Sequence, residues 1–243
     1  MVLSFSWLAS CGTEEGRKAA LAMPDEWFQI NGFLKIGENG RVTIMSPNPE
    51  IGQNIKTAMP MIVAEELDTD WEQVLVEQAP LNTDIFTRQL AGGSQSIRQS
   101  WPALRMAGAT ARQMLKAAAA AAWQVPVSEI TTSMGKLSHT ASNRSGGYGE
   151  FASAAAALEV PEEVTLKTPD EFTIVGTDRK KVDGPKIISG SPVFGLDVRK
   201  EGMLFAMVVH PPAFGMKLAS ADVSAVKQMP GIVDAFPIVV YPE

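Results

Sequence analysis

The chain has 243 residues, 45% of them hydrophobic and 20% charged, which is the balance of a globular protein with a sizeable core. Its formal net charge of -6 argues against a nucleic-acid partner, because such a partner requires a basic surface. The single cysteine excludes an intramolecular disulfide, and together with two histidines it supplies too few ligands for a zinc cage.

Residues 1–26 are predicted to form a signal remnant and a polar tether. Residues 2–9 are apolar apart from two serines, and they are too short to cross a bilayer, which takes about 20 apolar residues. The motif Leu8-Ala-Ser-Cys11 is similar to the processing site of an exported bacterial lipoprotein, although no basic residue precedes Arg17. We therefore expect an exported protein, periplasmic or anchored through a lipid on Cys11, with a cytoplasmic protein as the alternative.

The pattern of residues 27–160 predicts a sheet with helices on one face. Strand-like runs occur at residues 33–36, 42–44 and 74–76. Gly37-Glu-Asn-Gly40 joins the first two runs as a hairpin turn, since both Asn and Gly tolerate positive φ. Thr57 is predicted to cap a helix that runs to about Leu67, which places Pro60 in the first turn.

The strongest helical signal of the chain follows residue 96. Apolar or small residues recur there at steps of three and four: Ile97, Trp101, Leu104, Gly108, Ala111, Leu115, Ala118 and Ala122. Because Gly108 and the alanines make this face narrow, we expect a closely packed neighbour. Pro126 ends the helix, a second hairpin turns at Met134-Gly135, and residues 150–158 form a short helix.

The last third of the chain changes in composition. Residues 161–184 are rich in Pro, Lys, Asp and Gly, and we interpret them as an extended linker with one short strand at residues 172–175. Residues 185–243 are predicted to form a second domain. Its strand-like runs are residues 194–198, 203–209 and 232–236.

The chain carries no nucleophile elbow, P-loop or dinucleotide fingerprint. Glu65 and Glu66 are adjacent on a helix, so they point in different directions and are interpreted as two solvated acids. The polar loops at residues 51–54 and 92–96 each precede a helix, where free N–H groups favour an anion such as a phosphate and Arg98 could add charge. From the residues alone, a plain helix-capping role is the alternative.

Both loops carry a family resemblance. Glu50-Ile-Gly-Gln-Asn-Ile-Lys-Thr57 and the helix that follows resemble the Gly-Gln loop and helix of molybdenum-binding subunits in the xanthine dehydrogenase and aldehyde oxidase family. The segment Leu90-Ala-Gly-Gly-Ser-Gln-Ser96 resembles the next loop of that domain. Four later segments resemble the α/β hammerhead domain of the same family: residues 190–198, 202–204, 210–212 and 229–232. The N-terminal position of the Gly-Gln segment is similar to that in isoquinoline 1-oxidoreductase beta subunits and related exported aldehyde dehydrogenases.

The resemblance implies an α+β fold, in which a partial molybdenum-cofactor-binding domain precedes an α/β hammerhead-like domain. It implies molybdopterin cytosine dinucleotide as the cofactor, an aldehyde or N-heterocycle as the substrate, and a small partner subunit that carries [2Fe–2S] clusters. The implied cofactor-binding residues are Gly52, Gln53, Asn54, Gly92, Gly93, Ser94, Gln95 and Ser96.

Two departures from the family pattern qualify this interpretation. Asn54 replaces the second Gly of the usual Gly-Gln-Gly, although Asn tolerates the same left-handed backbone. No residue matches the family's catalytic glutamate, so we expect an N-terminal part that is inactive without the remainder of the subunit. A non-catalytic exported lipoprotein or binding module on the same scaffold is the alternative function.

If the lipoprotein interpretation is correct, the mature protein begins at Cys11 and carries lipid on its thiol. Mass spectrometry of the native protein measures both properties. An unmodified mature chain that retains residues before Cys11 would show that this processing does not occur.

Overall fold

The computed structural model describes residues 22–191 and 194–238, so the predicted processing site at Cys11 lies outside the described residues. The chain divides into two compact units, residues 1–191 and 192–243. The longer elements of the first unit are β1 (Trp27–Asn31), β2 (Leu34–Gly37), β3 (Val42–Ser46), α1 (Ile55–Leu67), β4 (Val74–Gln78), α2 (Ser96–Trp123), β5 (Thr131–Ser133), β6 (Lys136–His139), β7 (Arg144–Gly147), α3 (Tyr148–Ala156) and α4 (Gly184–Ile188).

A four-stranded sheet of order β1-β2-β3-β4 forms the base of this unit. Its β2–β3 hairpin confirms the predicted one, with Leu34 opposite Ile44 and Ile36 opposite Val42. These four side chains share one face, because side chains alternate along a strand, and all four are fully buried. β4 joins β3 in parallel after the α1 crossover, and both α1 and α3 contact the sheet. The architecture is therefore mixed α and β, as predicted.

Helix α1 begins two residues before the predicted cap. Asn54 is its N-cap residue and has a left-handed backbone with φ 65°. The Thr57 hydroxyl donates to the Asn54 side chain at 2.7 Å, so the prediction that Thr57 caps the helix is wrong. Pro60 consequently lies in the second turn, where its missing N–H leaves the Lys56 carbonyl without the usual helical donor.

The long helix α2 packs against α1 through its narrow face. A Cβ atom added to Gly108 would lie 2.3 Å from the Val63 carbonyl oxygen, which is a steric clash. Only glycine, which has no Cβ atom, allows the two helices to approach this closely. α1 therefore supplies the close neighbour that the small-residue pattern predicts. The buried face ends before Ala122, which is exposed.

A second sheet, of order β5-β6-β7, lies between α2 and α3 in the chain. Its predicted turn at Met134-Gly135 is confirmed, with φ 50° and 76° at the two residues. Tyr148, the first residue of α3, is fully buried, and its hydroxyl donates to the Leu67 carbonyl at 2.7 Å. This bond ties the second sheet and α3 to the end of α1.

The second unit departs from its predicted secondary structure. Between residues 194 and 238 the structure contains a 3-10 turn at Gly195–Asp197 and the short helix α5 (Ser224–Lys227), but no strand. The predicted strands at residues 194–198, 203–209 and 232–236 are therefore wrong for the described chain. Side chains such as Phe205 and Met207 are mostly exposed. Strand propensity is realised only where neighbouring strands and burial support it, and this unit offers neither.

Substitution of Gly108 by Ala should destabilise the first unit by about 1–3 kcal/mol, because the new methyl group forces α1 and α2 apart. Chemical denaturation of the purified chain measures this change. Gly184→Ala is the matched control, since a Cβ atom there has only the Lys181 side chain nearby, at 3.9 Å. Equal stability of the two variants would contradict the close-packing interpretation.

Candidate functional site

The Gly-Gln loop holds its shape through its own backbone and side chains. Gly52 has φ 108°, a conformation that side chains rarely adopt, and Asn54 adopts the left-handed region that it tolerates. The Gln53 side chain accepts from the Ile51 N–H at 2.7 Å and donates to the Pro49 carbonyl at 3.1 Å. Gln53 is exposed, but its amide is already bound within the loop.

A neighbouring acid fills the N-terminus of α1. The Glu50 carboxylate accepts from the N–H groups of Gly52, Asn54 and Lys56 at 2.8–3.0 Å, and Lys181 lies 3.4 Å away. Burial, the largest influence, raises the pKa of Glu50, but the three N–H bonds and the charge of Lys181 together lower it below its ordinary value of 4.5. Glu50 was not singled out from the sequence, although an acid just before a helix is a signal of this capping.

The second predicted loop lacks such an internal anion. Gly93 and Ser94 have φ of 62° and 53°, and Gln95 is the N-cap residue of α2 without making a capping hydrogen bond. The Gln95 side chain instead accepts from Arg98 Nε at 2.8 Å, so the two side chains predicted to receive an anion bind each other. Gly92, Gly93 and Ser94 are exposed.

The buried side chain of Asn48 connects the two loops. It is 1% exposed, and its Nδ2 donates to the Leu90 carbonyl and to the Ser96 hydroxyl, both at 3.0 Å. Its Oδ1 is buried without a hydrogen-bond partner in the described part of the chain, as is the Ser46 hydroxyl. Buried acceptors and donors are normally satisfied, so each of these two atoms is an exception among the described residues. Sequence reasoning missed Asn48 because its partners are more than 40 residues away.

A shallow depression of about 290 Å³ opens beside the Gly-Gln loop. Its lining residues are Pro47, Pro49, Glu50, Gln78, Ala79, Leu81 and Gln89. Gln78 Nε2 donates to the Ser46 carbonyl at 2.9 Å and Gln89 Nε2 to the Pro47 carbonyl at 3.1 Å, which fixes both amides. The depression therefore has a partly apolar lining and includes Glu50 but none of residues 51–54 or 92–96, and the two predicted loops are connected through Asn48 instead.

Glu65 and Glu66 are buried, so the interpretation of both as solvated acids is wrong. Each is at most 1% exposed. The Glu65 carboxylate accepts from three consecutive backbone N–H groups, those of residues 173–175, at 2.6–2.9 Å and from Lys167 Nζ at 3.1 Å. Glu66 accepts from Arg105 Nε at 2.7 Å and from the Lys167 N–H at 3.0 Å.

These acids hold residues 164–183, here named the strap, along α1. The strand predicted at residues 172–175 is absent. The N–H groups of residues 173–175, which would pair with a neighbouring strand, donate to Glu65 instead. At the other end, the Val182 N–H donates to the Thr57 hydroxyl at 3.1 Å, and Asp183 forms an ion pair with Lys56 at 2.9 Å. The strap therefore ends on the first turn of α1, next to the Gly-Gln loop.

Neither a metal cluster nor a membrane span is evident in residues 22–191 and 194–238. No group of three or more His, Cys, Asp or Glu side chains there could hold a metal ion, and no helix there is long and apolar enough to cross a bilayer. His139 lies between Glu129 and the Ser142 hydroxyl, each 2.7 Å from a ring nitrogen, which is a structural arrangement.

A family model of the molybdopterin cofactor-binding domain matches residues 10–197. The chain belongs to this family. The match includes both loops, α1, α2 and the strap, so it confirms the family resemblance found in the sequence.

Three curated relatives are similar to this molybdopterin cofactor-binding domain over most of its length. The beta subunit of isoquinoline 1-oxidoreductase from Brevundimonas diminuta is 32% identical and aligns with 83% of the chain. The membrane-bound aldehyde dehydrogenase [pyrroloquinoline-quinone] of Gluconacetobacter polyoxogenes is 27% identical over 86%, and a nicotinate dehydrogenase subunit of Pseudomonas putida is 28% identical over 83%. The chain spans only 31%, 28% and 18% of these relatives.

Among solved structures, quinoline 2-oxidoreductase from Pseudomonas putida 86 aligns with 50% of this chain and 15% of its own, with 20% identity and a TM-score of 0.40.

Glu65→Gln should destabilise the domain by about 3 kcal/mol at pH 7, because it removes a buried charge from its partners. Burial, the largest influence, raises the pKa of Glu65, but hydrogen bonds from the strap and Lys167 lower it below 4.5. The stabilisation that this charge provides is therefore present above pH 4.5 and lost as the pH falls through the lower folded-state value.

The free energy of unfolding of both proteins, measured from about pH 7 to about pH 3, checks this expectation. The gap between wild type and Glu65→Gln should narrow in the acidic range, while the exposed control Glu163→Gln should remain close to wild type throughout. A gap that is constant with pH would refute the role of the Glu65 charge.

Proposed function

We propose that this chain is part of the cofactor-binding component of a molybdenum hydroxylase that oxidises an aldehyde or an aromatic N-heterocycle. The observation that carries the proposal is the match of residues 10–197 to the molybdopterin cofactor-binding domain. The names of the relatives, isoquinoline oxidoreductase, nicotinate dehydrogenase and aldehyde dehydrogenase, support this substrate class. One of those names gives pyrroloquinoline quinone as the cofactor, and we propose molybdopterin here because the family model describes it.

In the proposed reaction, a substrate C–H bond is broken and an oxygen atom from water is added to that carbon. The electron pair passes to [2Fe–2S] clusters on a small partner subunit, and two protons are released. The bound molybdopterin cytosine dinucleotide supplies the metal centre for this oxidation. The catalytic base belongs to the remainder of the subunit, so the isolated chain is expected to be inactive.

The two loops have different proposed roles. The N-terminus of α1 already holds the Glu50 carboxylate, and a second anion would meet its repulsion. The N-terminus of α2 has exposed glycines and no side-chain cap from Gln95, so it suits a phosphate of the dinucleotide. We assign phosphate binding to residues 92–96 and a shaping role to Gly52, Gln53 and Asn54. Asn48 Oδ1 would accept a donor from the cofactor.

The remaining parts of the proposal concern the second unit and localisation. Residues 185–243 are proposed to form part of a hammerhead domain that gains its strands from the rest of the subunit. The exposed apolar side chains of this unit, among them Phe205 and Met207, support the idea that further structure covers them. Export, with or without a lipid on Cys11, is proposed from the N-terminal sequence.

The gene and the purified complex provide the test of this function. A reading frame that continues past codon 243, or an adjacent gene for the rest of the cofactor domain, is expected. The complete enzyme should contain molybdenum and release a cytidine nucleotide on acid hydrolysis, and it should oxidise an aldehyde or a quinoline with an artificial electron acceptor. A complete enzyme that binds no molybdenum would refute the proposal.

Within that complete enzyme, Gly92→Val should lower the bound cytidine nucleotide and molybdenum more than Gln53→Ala does. A valine side chain blocks approach to the α2 backbone, whereas Gln53→Ala removes hydrogen bonds worth about 0.5–1.5 kcal/mol each. Gly92 is chosen over Gly93 because Gly93 has φ 62°, at which valine would also strain the backbone.

Gly195→Val is the matched control for this pair, since a Cβ atom at Gly195 has no neighbour within 4 Å. Metal analysis and nucleotide quantification give the occupancy, and circular dichroism verifies folding. Normal occupancy in both loop variants would mean that the loops act only as helix caps.

A further inference from the structure

A second polar pocket lies between the middle of α2, β5 and the beginning of the strap. It measures about 230 Å³ and is lined by Ala109, Arg112, Gln113, Lys116, Thr132, Val164 and Thr165. Arg112 follows the first residue of α2 by 16 positions (112 − 96), which corresponds to roughly 24 Å along the helix. The pocket is therefore separate from the loops assigned to the cofactor.

The charges around this pocket do not balance. Three buried or half-buried acids form ion pairs with three bases. The acids are Glu65, Glu66 and Asp68, and the bases are Arg105, Arg112 and Lys167. Lys116 is an additional cation, and within the described residues its ammonium group forms no hydrogen bond or ion pair. Glu171, a further acid near Arg112, is exposed and bound to Thr168, so solvent screens it.

Lys116 is held in this unmatched state by its position on α2. It is half-buried one helical turn after Arg112, so the two cations share one face of the helix. Burial, the largest influence, lowers the pKa of Lys116, and the charge of Arg112 lowers it further. Both effects would be relieved by an anion between the two side chains.

The other groups of the pocket suit an oxyanion. One Arg112 nitrogen donates to the Thr165 carbonyl at 2.9 Å and lies 3.6 Å from Glu66, which fixes the guanidinium group at the edge of the pocket. Gln113 adds a neutral amide. The Thr132 hydroxyl donates to Asp68 at 2.8 Å, so its oxygen is held in place. An Arg fork beside a Lys point charge is an effective arrangement for phosphate or carboxylate.

The volume limits the size of the ligand. It is several times the volume of about 30 Å³ per water molecule in the liquid, but it lies below the roughly 300 Å³ at which pockets for drug-sized ligands begin. We propose that Arg112, Lys116 and Gln113 form a binding site for a small oxyanion, either inorganic phosphate or the carboxylate of a small organic acid. This site is independent of the cofactor loops.

Calorimetric titration of the 243-residue chain with sodium phosphate, and separately with sodium acetate, tests the proposal at constant ionic strength set with chloride. Saturable binding of either anion is expected, and the tighter of the two identifies the ligand chemistry. Lys116→Gln should weaken that binding by about tenfold, because a charge-assisted hydrogen bond is lost. Lys136→Gln, which removes an exposed lysine from β6, should leave it unchanged.

Arg112→Lys provides a second variant that keeps the positive charge but removes the planar fork. Weaker binding with an unchanged circular dichroism spectrum is expected. The proposal is overturned if neither anion binds saturably, or if Lys116→Gln binds the anion as tightly as the wild type does.

Discussion

Three consecutive backbone N–H groups, those of residues 173–175, converge on the carboxylate of Glu65 inside the first unit. An ionised carboxylate is costly to bury unless charged and hydrogen-bonding partners surround it, and here the amides and Lys167 provide both. Since these donors belong to a segment more than 100 residues further along the chain, the charge fixes where that segment lies. The strap then continues along α1 to Lys56 and Thr57, so the position of the Gly-Gln loop is linked to a carboxylate at the far end of the same helix.

The features that could be predicted from the sequence are those determined by residues close together in the chain. The β2–β3 hairpin, the turn at Met134-Gly135 and the helix α2 follow from alternation, turn residues and a helical period of about 3.6 residues. The burial of Glu65 and Glu66 could not be predicted, because adjacent acids look solvated until their distant partners are known. The strands expected after residue 194 failed for the same reason, since a strand depends on neighbours that its own residues do not specify.

The chemistry of the candidate site could likewise be predicted only in part from the sequence. In sequence, the two loops look alike: each is small, polar and followed by a helix. In the structure, Glu50 supplies an anion to the first helix, whereas Gln95 pairs with Arg98 and leaves the second helix without a cap from its own N-cap residue. Asn48, whose buried Oδ1 has no hydrogen-bond partner among the described residues, joins them and carries no sequence signal of its own. The loops could be located from residue types. Their chemical difference depends on the hydrogen bonds of two side chains, because Glu50 binds the backbone of α1 whereas Gln95 binds Arg98.

The way in which the strap is held also has an evolutionary consequence. Glu65 accepts from the main-chain N–H groups of residues 173–175 at 2.6–2.9 Å, whereas its one side-chain donor there, the Thr173 hydroxyl, is 3.5 Å away. Many substitutions in that stretch therefore preserve the main contact. Proline is the exception, because it lacks the N–H group at each of these positions. Substitution at Glu65 itself has no such freedom, since a shorter or neutral side chain cannot match three donors and an ammonium group. Homologous chains can therefore diverge at residues 173–175 and still retain the same architecture, provided that Glu65 and the charged partners at the two ends of the strap, Lys167 and Asp183, are kept.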